Sequence, residues 1–386
     1  MGLAAAVAIA SLCSENRSMP SVPVMRPKLP STERLAPYLQ SIDASRVYSN
    51  YGPLTVSLED RLAAHYRLSQ GTVGTVANAT VGLAIALAIQ HPPPGTLCVM
   101  PAWTFVASAH AAVMAGLVPY FVDVDAATWA LDVGAISEQI ARAPAPVGAV
   151  MPVAPFGAPI DLPAWESFRL RTGLAVAIDA AAAFDSLQPT AIPTVVSLHA
   201  TKVLATGEGG FVVSTDTAIQ REVRMRANFG FAGSRQAQAP AYNAKLSEYH
   251  AAVGHAALDE WAQTRAEWND VAAAYRGVLG RSNRVRLQSD FGENWISSTC
   301  LLNFGEQITD RVEQALSKND IETRRWWGTG AHDHPATDAF SHSALSVTDT
   351  LAQSTLGVPF YRELSASEIA RVAEVVLAAA DMTTGQ

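Results

Sequence analysis

Short, largely apolar runs recur along the chain, and most are followed by a stretch of helical character. Val73–Ala77, Leu97–Met100, Val118–Val122, Val147–Val153, Leu174–Ile178, Thr194–Leu198 and Gly210–Ser214 are short for helices and too continuous for half-exposed strands. Strands covered on both faces read this way, because helices shield both sides of a mostly parallel sheet. The alternation predicts an α/β sheet with helical crossovers. Helices are expected over about 57–66, from 80 to 90, over 105–115 and over 365–380. Between Leu246 and Leu279 apolar residues recur at helical spacing. The chain of 386 residues thus divides into an N-terminal extension (1–18), a large domain (19–260) and a smaller C-terminal domain (261–386), hinged on that long helical region.

Composition narrows the function classes. Apolar residues make up 49% and charged residues 16%, against roughly 25% charged in an average chain. Global disorder is excluded. So much apolar surface needs cover, and an oligomer is expected. The net charge of −8 argues against nucleic acid or an anionic membrane as the main partner, although backbone amides can still hold a small anion. Cys13, Cys98 and Cys300 are widely spaced and form no CxxC, so neither a disulfide framework nor a cysteine-rich zinc site is expected, and the chain reads as cytoplasmic. The apolar start, Met1–Cys13, has no Lys or Arg ahead of it and is too short to span a bilayer. Two readings compete, a frayed N-terminal segment and a start placed too far upstream, and the second, with Met19 as the true start, is favoured.

Three elements carry chemistry. The run Val195-Val196-Ser197-Leu198-His199-Ala200-Thr201-Lys202 leads into Thr206-Gly207-Glu208-Gly209-Gly210. It puts a hydroxyl and a lysine on a strand–loop junction, where partial desolvation would lower the amine's pKa and make it a nucleophile for a carbonyl. A solvated loop lysine is the commoner outcome for any single lysine. Asp179 closes the strand Leu174–Ile178, where α/β sheets place ligands; a buried carboxylate there needs a cation, unless it caps the next helix. Asn78-Ala79-Thr80-Val81-Gly82 opens a helix, whose free N–H groups suit a phosphate as well as an ordinary cap. A lysine for an imine, an aspartate for a pyridinium and a helix start for a phosphate together make up a pyridoxal-phosphate (PLP) site.

The same segments resemble the DegT/StrS family of PLP-dependent nucleotide-sugar aminotransferases, from about Pro20 to Val376. Ser197-Leu198-His199-Ala200-Thr201-Lys202 matches the family's S-F-H-x-T-K, and Gly207-Glu208-Gly209-Gly210 its G-E-G-G. Pro101–Ala107 resembles P-x-x-T-F-V-A, Val118–Asp125 the P-x-F-V-D-x-D strand, and Phe156–Asp161 the Y-G-x-x-x-D turn. Asn243–Glu248 resembles N-x-R-M-x-E, and Val358–Tyr361 the L-P-x-Y/H segment.

The resemblance implies a fold-type I PLP-transferase: a mostly parallel central sheet covered by helices, plus a smaller C-terminal α+β domain. It implies that Lys202 holds PLP as an aldimine and shuttles the proton, that Asp179 pairs with the pyridine nitrogen, and that Phe105 stacks on the ring. Ala79, Thr80 and Ser197 would hold the phosphate. Asn243, with Lys245, would reach the phosphate of a partner subunit, giving a homodimer with shared sites. The implied reaction is ping-pong transamination of a nucleotide-linked keto-deoxyhexose with L-glutamate as donor. Some relatives replace the lysine by histidine and act as dehydratases; Lys202 favours transamination. A non-catalytic regulator is the other alternative.

Two departures stand out. Ala182 replaces the family's Gln, and Lys245 replaces an Arg, turning a bidentate contact into a point charge. Arg324-Arg325-Trp326-Trp327-Gly328-Thr329-Gly330-Ala331-His332 is a further candidate. Arg325, Trp326, Trp327 and His332 could contact the substrate by stacking and charge, or form a core with solvated arginines. No metal site is expected.

Overall fold

The computed structural model describes residues 22–305 and 308–381. The extension 1–18, Cys13 and the expected start at Met19 lie outside the described residues. The apolar runs form β1 (Val73–Val76), β2 (Leu97–Pro101), β3 (Val118–Val122), β4 (Val147–Val150), β5 (Ala175–Val176), β6 (Ile178–Asp179), β7 (Thr194–Ser197) and β8 (Gly210–Val213). They pair in two groups, β1-β8-β7-β6 and β3-β2-β4-β5. The groups join because β5 and β6 are halves of one extended run. Ala177 N donates to Val150 O at 3.2 Å, and Asp179 N to Pro152 O at 2.9 Å. All pairings are parallel except those of β8, which runs antiparallel to both β1 and β7. A loop suffices between β7 and β8, because antiparallel neighbours need no crossover helix.

Asn78 caps the helix Ala79–Ala88 by accepting from Val81 N at 3.0 Å. That helix is apolar all round and almost wholly buried, as a helix must be when it lies between a sheet and further helices. The helix expected over 57–66 begins earlier, at Pro53, where proline's missing N–H costs nothing. A helix at Thr32–Ser45 has no counterpart in the sequence reading. Pro37 lies inside it and breaks the expected helical pattern.

The long helical region is two helices, Glu248–Asp259 and Trp261–Leu279, meeting at Glu260. The first packs on the helices Thr32–Ser45 and Pro53–His65. The second packs on the final helix, Ala366–Asp381. In the C-terminal part, β9 (Cys300–Asn303) and β10 (Thr355–Val358) form an antiparallel pair. Asp123, just beyond β3, accepts from Val347 N and Thr348 N at 2.8 Å each and so caps the helix Ser346–Ser354. Among the described residues no helix is long and apolar enough to cross a membrane.

Candidate active site

The site forms where β1, β2, β6 and β7 end and where β8 begins. Asp179, the last residue of β6, is buried. Its Oδ2 accepts from Ser108 Oγ at 2.7 Å, and its Oδ1 from Ala181 N at 3.1 Å. Ser108 Oγ also lies 2.9 Å from Thr104 Oγ1. Burial pushes the Asp179 carboxyl above the usual carboxylate range. Ser108, then Ala181, then the charge of Lys202 pull against that shift.

Lys202 stands on the turn after β7. Lys202 N donates to His199 O at 2.9 Å, and Ala200 N to Gly207 O at 2.8 Å, which closes the base of the loop. The side chain is partly buried, and Nζ has no hydrogen bond or ion pair with any described residue. Burial lowers its pKa below the ordinary lysine range, and the nearby Asp179 opposes the shift. The two groups are therefore electrostatically coupled without a direct salt bridge.

The glycine-rich loop has a steric reason. A Cβ on Gly210 would stand 2.9 Å from Ala79 N and 3.0 Å from Val196 O, so only glycine lets β8 pass against the helix start. Gly209 has φ +153°, outside the range most side chains adopt. Ala79 N and Thr80 N have no acceptor among the described residues, since the cap of Asn78 serves Val81. Ser197 Oγ accepts from His199 N at 3.2 Å, which leaves its own hydrogen to donate. Phe105, next to Thr104, is 58% exposed, an uncovered aromatic face at the end of β2.

These features fit PLP. A buried carboxylate without a direct cationic partner suits a protonated pyridine nitrogen, and free helix-start amides with a serine hydroxyl suit a phosphate dianion. An unpartnered, desolvated amine suits attachment to a carbonyl.

The other expected residues lie in separate places. Asn243 is exposed and accepts from Lys245 Nζ at 2.6 Å; Lys245 also lies 4.6 Å from the Phe229 ring centroid. Glu248, the last residue of that motif, is buried and accepts from Leu54 N and Thr55 N at 2.8 Å each. It holds the start of the helix Pro53–His65. Arg325 pairs with Asp310 and Glu313. Trp327 stacks on Phe156 at 3.7 Å between centroids and meets Trp103 edge-on at 5.4 Å. Trp326 lies against Gly357, with Arg324 over its ring at 4.8 Å. His332 packs between Phe121 and His342. Trp326 and Trp327 thus join an aromatic cluster between the sheet and the C-terminal part. Among the described residues no cluster of metal-ligating side chains occurs.

Sequence reasoning missed Ser108. The spacing of Thr104 and Ser108, one helical turn apart, was its only local signal. The partner carboxylate lies 71 residues away.

The sequence model of the DegT/DnrJ/EryC1/StrS aminotransferase family matches residues 31–377. The chain is 28% identical to Protein Rv3402c of Mycobacterium tuberculosis, covering 93% of this chain and 90% of that one. It is 25% identical to a dTDP-4-amino-4,6-dideoxy-D-glucose transaminase of Escherichia coli, covering 92% and 98%. The structure of DesI solved with its TDP-sugar product superposes with a TM-score of 0.82 at 29% identity, covering 93% of each chain. A DegT DnrJ EryC1 StrS aminotransferase from Brucella abortus shares the fold, with a TM-score of 0.81 at 22% identity, covering 91% and 96%.

Proposed function

This chain belongs to the DegT/DnrJ/EryC1/StrS aminotransferase family, and we propose that it moves an amino group from L-glutamate to the ketone of a nucleotide-linked deoxyhexose. It is a PLP-dependent sugar aminotransferase by family and by fold type. The observation that carries the finer reading is the partly buried Lys202 amine, without a partner, beside the buried Asp179. The named activity of the Escherichia coli relative and the sugar bound to DesI support the substrate class.

Lys202 Nζ is the group that would hold PLP. Asp179 would meet the pyridine nitrogen and keep it protonated, with Ser108 and Ala181 N fixing the carboxylate. Ala79 N, Thr80 and Ser197 would hold the phosphate, and Phe105 would cover the ring. When bound, the cofactor withdraws electrons from the carbon that loses its proton. Lys202, once its amine is released, is the base that takes this proton and returns it. Its lowered pKa favours the neutral amine that this step requires. Donor and acceptor would use the one site in turn, since one lysine serves both.

We place Asn243 and Lys245 toward the phosphate of a second copy. The exposed Phe229 beside them (48%) supports a covered surface in a homodimer. We assign Arg325, Trp326, Trp327 and His332 to the sugar-nucleotide side. A domain boundary at Glu260 fits the change of packing partners there. The buried, unpaired thiols Cys98 and Cys300 suit the cytoplasm.

The test is the visible spectrum of the protein with PLP. A band that L-glutamate bleaches, that a nucleotide-linked keto sugar restores, and that Lys202→Ala lacks supports the reading. A band unmoved by glutamate removes it as donor. No band at all refutes the cofactor assignment.

A further inference from the structure

Ser197 and Lys202 stand at the two ends of one short turn, and His199 lies between them, bonded to both. His199 N donates to Ser197 Oγ at 3.2 Å, and His199 O accepts from Lys202 N at 2.9 Å. Almost any residue could make these main-chain contacts. The ring adds what only a side chain can. Nδ1 lies 2.8 Å from Thr201 Oγ1 and 3.3 Å from Thr201 N. A backbone N–H can only donate, so Nδ1 is the unprotonated nitrogen and accepts from Thr201. The proton of the neutral ring is then on Nε2, which faces Glu208 Oε1 at 3.7 Å across the loop. That far limb is already tied to the near one: Leu198 N donates to Gly209 O at 2.9 Å, and Thr206 N to Leu198 O at 2.8 Å. The side chains of His199 and Glu208 are 46% and 61% exposed, so their pairing gives direction rather than stability. A histidine that fills no core, yet fixes the residue next to Lys202, has a task other than packing.

We propose that His199 is a positioning residue for amino transfer: its ring holds the turn so that the Lys202 amine and the Ser197 hydroxyl keep a fixed spacing. This rests on the reading that those two groups hold opposite ends of PLP. The cofactor is a rigid ring, with its aldehyde and its phosphate arm at set places. A misplacement of about 1 Å can cost about a hundredfold in rate. Ser197 ends β7 and is fixed by the sheet. On the other side Val203 and Leu204 are buried and anchor the chain beyond the lysine. Thr201 is the joint between these anchors, and the His199 ring is what holds it. A side-chain acceptor bonded to the N–H two residues on is the geometry of an Asx turn. Histidine supplies that acceptor and keeps Nε2 for Glu208. Holding the turn also keeps the lysine amine away from water, and a loosened turn would return it.

The test follows His199→Ala, His199→Asn and Thr201→Val by two readouts. One is the pH inflection of Lys202 acylation in the full-length apoprotein, read by mass spectrometry. The other is PLP affinity, titrated at the visible band. His199→Ala should move the inflection up toward the ordinary lysine value near 10.5, by about half a unit or more. It should also weaken PLP binding about two- to tenfold, the factor expected for one neutral hydrogen bond. His199→Asn, whose Oδ1 can accept from Thr201 N, should restore most of both. Thr201→Val keeps the N–H and loses the hydroxyl, and should give a smaller change of the same sign. Melting temperatures should stay close to the parent's, because the ring is half exposed. An inflection and an affinity unchanged in His199→Ala overturn the proposal. So does a His199→Asn protein that behaves like His199→Ala, since bulk rather than the acceptor would then matter. An inflection that moves while PLP affinity holds overturns the fixed spacing. The two readings fail separately. A parent without a visible band sinks the cofactor assignment, and a parent with the band but an unmoved inflection in His199→Ala sinks the role of His199 alone.

Discussion

Replacing Ser108 by Ala tests the electrostatic core of the site. Ser108 Oγ donates to Asp179 Oδ2 at 2.7 Å in a buried setting, and it is the largest influence opposing the effect of burial on that carboxyl. A hydrogen bond to a charged group contributes about 1.5–3 kcal/mol. At 1.36 kcal/mol for each pKa unit, losing it should raise the Asp179 pKa by about one to two units. The ionised carboxylate is the form that pairs with a protonated pyridine. PLP affinity of the apoprotein, titrated at the visible band, should therefore fall, by up to about ten- to a hundredfold at a pH below both pKa values. The sign of the pH effect follows from the direction of the shift. A raised pKa means that the carboxylate is protonated first as pH falls, so the deficit of Ser108→Ala should widen toward acid and narrow toward alkali. Thr104→Val removes only the group that orients Ser108, 2.9 Å away, and should cost less. A Ser108→Ala protein that binds PLP within twofold of the parent across this pH range would refute the argument.

Gly210→Ala should lower the melting temperature and weaken PLP binding together, because the new methyl meets Ala79 N at 2.9 Å; overpacking of this kind costs about 1–3 kcal/mol. A loss of stability without a loss of affinity would mean that the start of the helix Ala79–Ala88 does not hold the phosphate. Glu248→Ala strips the acceptor from Leu54 N and Thr55 N and should destabilise by about 1–3 kcal/mol in a denaturant melt; an unchanged midpoint would contradict the capping role. Lys202 should acylate in the apoprotein at a lower pH than an ordinary lysine, because burial lowers its pKa. Asp179 opposes that shift, so Asp179→Asn should move the inflection lower still. Mass-spectrometric labelling against pH reads both, and an inflection at the ordinary lysine value near 10.5 would contradict the burial argument.

Much of the fold is local in origin and was legible. The runs at 73–77, 97–100 and 118–122 form strands where expected because continuous apolar sequence is stable only when covered on both faces. The helix Thr32–Ser45 was missed because Pro37 masks its pattern. The single helical region after Leu246 is two helices, because the residues before and after Glu260 pack on different neighbours. Asp123 illustrates a motif residue whose chemistry is structural. Its carboxylate caps a helix more than two hundred residues further on, and nothing within the strand announces that partner.

The sequence by itself determined the strand positions, the lysine on the turn after β7, the aspartate ending β6 and the glycines that let β8 pass the helix start, since each depends on local backbone and burial preferences. Tertiary structure decided the rest. It placed Ser108 on Asp179 across 71 residues, set β8 antiparallel between β1 and β7 and stacked Trp327 on Phe156. These are pairings between distant segments, and their free energy exists only once the sheet has closed and water has left the space between them.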